Sequence, residues 1–237
     1  MFDKTTVRGL IALAFVVSVV LFSPQLQADV VLPTPARMQA DAPGATSYQI
    51  AFVTSDGIAA YPSSNITDYN NFVAAEASND SVLASLGVSW HAIASTLTVN
   101  ANTNAPSSSS IPVYNTAGQL LTTEGLYSGN GLSALLNGTQ YGSVLDTPVY
   151  TGSGPDGTEL AHFYGLGSSG VARGISNGSG TAWISNYISY GPVNPLPIYG
   201  LSSPITVSTP EPSTFALLAA GAIGLIGYTW RRRKRAA

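Results

Sequence analysis

Apolar residues crowd positions 9–22, thin out through a long middle rich in Gly, Ser, Thr and Asn, and return over positions 215–230. Lys4 and Arg8 precede the first run and compact residues follow it up to Ala28. That order predicts a secretory signal peptide over residues 1–28, cleaved at Ala28. Its run of about 14 apolar residues is shorter than the ~20 a retained membrane helix needs. The second run is about 16 residues, or ~24 Å as a helix. It approaches the ~30 Å hydrocarbon core, and snorkelling side chains and local thinning cover the remainder. Arg231, Arg232, Arg233, Lys234 and Arg235 follow it as a basic cluster expected to stay cytoplasmic. Basic residues thus flank both ends, which puts the middle on the far side of the membrane.

Within the middle, residues 29–47, rich in Pro, Ala and Asp, predict an extended lead-in. Residues 48–54 open with alternating apolar positions and carry strand-forming side chains, a first β-strand. Asn65 is placed as an N-cap with Asp68 in the first turn, and Ile66, Tyr69, Phe72 and Val73 recur at helical spacing, predicting the main helix to about Ser78. A shorter helix is expected over 81–86, stopped by Gly87. Residues 90–95 and 111–115 predict strands, the second an edge or bulge because it contains Pro112. Residues 100–110 read as a polar loop and 131–136 as one helical turn. Strand pattern resumes at 147–150, the run 165–180 is nearly all small residues, and 196–201 with 205–207 supply closing strands. No fixed period repeats, which argues against solenoids and propellers. The sum is one long helix, several short mixed strands and long loops: an α+β domain.

Charge narrows the partners. Residues 29–209 hold ten acidic side chains against Arg37 and Arg173 alone, a net charge near −8. Phosphate backbones are held mainly through Lys and Arg, so nucleic acid is excluded as a natural partner. The chain has no cysteine, so neither disulfides nor thiolate chemistry is open to it.

The tail reads VSTPEPSTFALLAAGAIGLIGYTWRRRKRAA, with Pro210, Glu211 and Pro212 ahead of the apolar run and the basic cluster behind it. Proline-fixed, extended backbone before a membrane helix is a segment an enzyme can grip. The arrangement closely resembles the PEP-CTERM sorting signal of Gram-negative bacteria, whose bearers are processed by the membrane protease-transpeptidase exosortase. The resemblance implies that Pro210, Glu211 and Pro212 are the recognition motif within a sorting region spanning 209–237. It also implies an inner-membrane-anchored precursor through 215–230, signal peptidase and exosortase as partners during export, and delivery to the cell surface, often in species that make exopolysaccharide.

In the domain, the ordered pieces YQIAFVT (48–54), NITDYNNFVAAEA (65–77), WHAIAS (90–95), SSIPVYNTAGQLL (109–121), LYSG (126–129) and PVYTGSGPDGTEL (148–160) occur in sequence. Their order distantly resembles endostatin, a C-type-lectin-like fold, and implies an endostatin-like domain over 48–208. The chain lacks that family's disulfide cysteines and, in its lead-in, the histidines of the zinc site reported for animal members. Calcium-binding lectin triplets are also absent from the sequence. The fold is therefore the expectation, without the ligand.

Four patterns carry candidate chemistry. Gly174-Ile175-Ser176-Asn177-Gly178 fits the G-x-S-x-G elbow of serine hydrolases, but Asn-Gly-Ser-Gly after Ser176 is a poor helix start, and His91 and His162 both precede it. A flexible loop is the stronger expectation. His91 and His162 make at most an incomplete metal shell. Asp156-Gly157 offers either a weak calcium ligand or, preferably, a β-turn. Tyr127, Tyr141, Tyr150, Tyr164, Tyr187 and Tyr190 can stack on sugars or fill the core, the latter expected for most. No paired carboxylates, P-loop or dinucleotide fingerprint stands out. The expectation is a non-enzymatic exported protein without cofactor or metal, associated with exopolysaccharide or biofilm and with polysaccharide as a candidate partner. A secreted hydrolase with an unrecognised Ser/His site is the alternative.

Overall fold

The computed structural model describes residues 29–61 and 63–207, with Leu218 and residues 221–223 helical beyond them. The expected signal peptide with Ala28, the motif Pro210–Pro212, most of the apolar run 215–230 and the basic cluster 231–235 lie outside the described residues. Among the described residues, no helix is long and apolar enough to cross a membrane.

The segment expected to be an extended lead-in instead contains helix α1, Pro35–Asp41. The Thr34 side chain accepts a hydrogen bond from Arg37 N, and Pro35 starts the helix where its missing N–H is not needed. Met38 is buried, Tyr114 donates to Asp41 Oδ2 at 3.3 Å, and Val31 N donates to Thr116 O at 2.8 Å. The lead-in is thus packed onto the domain.

Strand β1, Ser47–Val53, follows and is buried along nearly its whole length. Helix α2, Ile66–Ser78, starts as its sequence dictates: Asn65 Oδ1 accepts from Thr67 N, with Asp68 in the first turn. Helix α3, Ser81–Ser85, is capped by Asp80. The aromatic-led strand shortens to β2, Trp90–Ala92. The expected polar loop holds a single turn of helix, α4, Ala101–Asn104. Strands β3, Val113–Asn115, and β4, Leu120–Thr122, form a hairpin whose register shifts between Val113 and Tyr114. The bulge alternative for this strand therefore holds and the edge alternative does not, because β3 also pairs with β1. Pro112 lies just outside β3 and gives its carbonyl to Gln49 N. Residues 131–136 form no helical turn: Ser133 N instead donates to Leu121 O.

Strands β5, Pro148–Tyr150, β6, Gly170–Ile175, and β7, Tyr187–Tyr190, make a separate antiparallel sheet. Strands β8, Tyr199–Ser202, and β9, Ile205–Thr206, close the domain. The main sheet has the order β2-β8-β1-β3-β4, with β9 also on β1. Among the described strand pairs of this sheet β1–β3 is the parallel one; β8 runs antiparallel to both β1 and β2.

Alternation along β1 separates two cores. Ile50 and Phe52 join Tyr69, Val73, Trp90 and Tyr114 on the α2 side. Ala51 and Val53 face Val113, Leu121, Leu136, Trp183 and Tyr199 on the other. Edge-to-face pairs mark both, Phe52 with Trp90 at 5.2 Å and Trp183 with Tyr199 at 5.7 Å. With both faces covered, the sheet needs no disulfide, consistent with an α+β domain held by its core.

Candidate functional site

The small sheet carries the most exposed aromatic surface of the domain. Its cross-strand register puts Tyr150, Arg173 and Tyr187 side by side on one face. Tyr150 is buried and donates to Asn194 O, while Tyr187 is 62% exposed. Between them the Arg173 guanidinium lies 5.6 Å from the Tyr187 ring centroid, a cation–π contact. Arg173 Nε is shielded from solvent and has no hydrogen-bond partner. Among the described residues Arg173 forms no ion pair, whereas Arg37 pairs with Asp41 on α1. On the other face Gly170 lies opposite Tyr190, and a Cβ there would stand 3.2 Å from both Tyr164 and Tyr190 rings. The bare glycine lets those rings meet edge-to-face at 6.5 Å.

Beside this sheet, Leu160–His162 forms a tight 3-10 turn in which Ala161 and His162 take positive φ, 55° and 62°. For side chains with a Cβ that conformation costs energy. It leaves Phe163 73% exposed. Buried Glu159 holds the turn from inside, its Oε1 accepting from Tyr164 N at 2.7 Å and Gly165 N at 2.9 Å. His162 stands on the surface, with Nδ1 3.6 Å from Glu159 Oε2.

The remaining candidates separate. Ser176 is buried, donates to Leu145 O and Thr147 O, and accepts from Thr147 N. It stitches the end of β6 to the segment before β5. Of the loop expected over 174–178, Gly174 and Ile175 belong instead to β6, where backbone pairing to β5 and β7 replaces the side-chain pattern the small residues cannot supply, while Ser176 and Asn177 form the turn that follows. His91 lies on β2 beside Asn70 and Trp90, and no hydrogen bond or ion pair joins it to His162 among the described residues. No group of three His, Asp or Glu is assembled among those residues either. Asp156 adopts the expected turn: its Oδ1 accepts from Thr158 N at 3.0 Å and Thr158 Oγ1 at 2.7 Å, and these bonds lower its pKa.

A groove of about 510 Å³ lies nearby, lined by Tyr127, Asp156, Glu124 and Asn102. Its tyrosine is committed to structure. The Tyr127 hydroxyl donates to Ala101 O and Ala105 O, burial pushes its pKa up, and Gly157 packs against the ring. Of the six named tyrosines, Tyr187 and Tyr190 present the most ring to solvent.

Beyond the domain, residues 208–234 match the family model described as the PEP-CTERM protein-sorting motif. The chain carries a PEP-CTERM sorting motif. For this PEP-CTERM protein the match spans Pro210, Glu211 and Pro212, the apolar run and most of the basic cluster. It implies exosortase processing, export, and a membrane-anchored precursor directed to the cell surface. No curated protein matches the chain. The pairing of Tyr187 with Arg173 is not legible in the sequence, whose one signal is that Arg173 is one of two cations in 181 residues of acidic domain.

Proposed function

We propose that this PEP-CTERM protein is a non-catalytic binding module of the cell surface or extracellular matrix, contacting envelope or biofilm polysaccharide through Tyr187 and Arg173 on one face of the small sheet. The sorting motif at 208–234 carries the reading, because it directs the domain toward the compartment where such polymers accumulate. Tyrosine faces stack on sugar rings, and a guanidinium without a carboxylate partner beside them donates to sugar hydroxyls. An endostatin-like, C-type-lectin-like domain over 48–208 belongs to this proposal, supported by the ordered motif pieces that fall on β1, α2, β2, β3 and β5. So does a signal peptide cleaved at Ala28. The hydrolase alternative has no observation in its favour, since the Ser176 hydroxyl is buried and bonded to backbone.

Fractionation of native cells tests the sorting half. The wild-type protein should appear at the surface without residues 213–237, and replacing Pro210, Glu211 and Pro212 by alanine should trap the full tail in the inner membrane. Co-sedimentation of the domain with the host's own exopolysaccharide tests the binding half. Retention that is unchanged by Tyr187→Ala and Arg173→Ala together would remove the proposed contact surface.

A further inference from the structure

Three elements converge on one buried carboxylate: the loop after β1, the last turn of α2, and the turn around residues 138–144. Glu76 on α2 and Gln140 in the turn are both buried, at 5% and 0% exposure, whereas Ser55 reaches the surface. Gln140 Nε2 donates to Ser55 Oγ at 2.7 Å and to Glu76 Oε2 at 2.8 Å. Ser55 Oγ donates in turn to Glu76 Oε2 at 3.3 Å, closing a ring of three bonds. Ser55 N donates to Gln140 Oε1 at 2.9 Å. Asp56 N and Asn79 Nδ2 hold the carboxylate at 3.3 Å and 3.4 Å. A hydroxyl, a carboxamide, a base and an N–H on the carboxamide oxygen therefore stand together.

We propose that Ser55 and Gln140 are the partners of an autocatalytic intramolecular ester cross-link. Ser55 Oγ adds to Gln140 Cδ while Glu76 Oε2 takes the hydroxyl proton. Negative charge develops on Gln140 Oε1, which already faces the Ser55 backbone N–H. Glu76 passes the proton to Nε2, the Cδ–Nε2 bond breaks, and ammonia leaves through the exposed side of Ser55. One hydroxyl and one carboxamide become one ester and one ammonia, with no oxidant, metal or cofactor. Holding both reactants in one hydrogen-bonded ring supplies the proximity that a reaction with an unactivated amide requires. The bond would join positions 85 apart in a chain with no cysteine, and in a domain whose residues 29–209 contain no lysine. Neither a disulfide nor a lysine isopeptide link is available to it.

The test is peptide mapping of the full chain, purified folded from its own cells and digested with chymotrypsin at mildly acidic pH. The expected product is a joined peptide pair containing Ser55 and Gln140, lighter than the separate peptides by about 17 Da, one ammonia, and parted by hydroxylamine. Ser55→Thr should keep the link. Ser55→Ala, at an exposed position that leaves the core intact, should abolish it and lower the unfolding midpoint, and Glu76→Gln should leave both peptides at full mass. Separate Ser55 and Gln140 peptides at their sequence masses in folded wild-type protein would overturn the proposal. A mass loss confined to the Asn-Gly steps at Asn137 or Asn177 would overturn it equally.

Discussion

At Gly200, beneath α2, a Cβ would come within 2.5 Å of Val73 Cγ1 and 2.8 Å of Phe52 Cε1. Helix and sheet touch there because the residue has no side chain. Gly200→Ala should therefore cost about 1–3 kcal/mol through overpacking, read as a lower urea midpoint at unchanged slope. Ser176 gives a second case, since in the interior its hydroxyl donates to Leu145 O and accepts from Thr147 N. Ser176→Ala should lower stability by about 1–3 kcal/mol, the cost of stranding buried polar partners. Tyr187→Ala should instead leave stability within about 0.5 kcal/mol, as at most exposed positions, while weakening polysaccharide co-sedimentation. Nothing in the G-x-S-x-G spacing distinguishes an exposed nucleophile from a buried stitch; which one Ser176 becomes depends on segment 145–147 closing over it.

Elements were legible in proportion to how much of their stability is local. Helix α2 combines a side-chain cap, an acidic first turn and a helical apolar stripe, all within its own residues. Asn65→Ala should cost about 1 kcal/mol, measured by thermal unfolding, with helix content retained because Tyr69 and Val73 still anchor the helix. Strands β6 and β7 lack such signals: β6 reads Gly-Val-Ala-Arg-Gly-Ile, and both its glycines are needed for contact. Gly170 admits the Tyr164 and Tyr190 rings, and Gly174 leaves room for the Trp183 carbonyl. Helix α1 is illegible for another reason. Its Pro33-Thr34-Pro35 start suggests extended backbone, yet Thr34 followed by Pro35 is also a cap followed by a first-turn proline.

Over the whole molecule, burial of tyrosine sets the alkaline limit. Burial first, then the nearby Asp68 charge, pushes the Tyr69 hydroxyl up to about 12; for Tyr114 burial and the Asp41 charge do the same. Because the unfolded chain ionises near pH ~10 while these folded groups stay neutral, their contribution is complete below that pH. It is lost as pH rises from about 10 to about 12. Stability against urea should be flat on the neutral side of this window and fall steeply within it, with tyrosinate absorbance rising at the unfolding transition. Acid acts oppositely at Asp156, whose lowered pKa makes its turn contribute above the ordinary carboxylate pKa and lose that contribution as pH falls. Asp156→Ala should flatten that acid-side dependence without moving the alkaline one.

Sequence by itself determined the partition of the chain: an apolar run at each end, a PEP-CTERM signal at 208–234, and an acidic, cysteine-free α+β middle with one capped main helix. Those properties live in contiguous residues, where composition and short-range spacing act directly. Only the tertiary structure decided that Tyr187 lies beside Arg173, that Ser176 is interior, and that Ser55, Glu76 and Gln140 meet. Each of these depends on pairing between residues far apart along the chain, and strand register, which selects the face each side chain takes, is a property of two strands rather than of either alone.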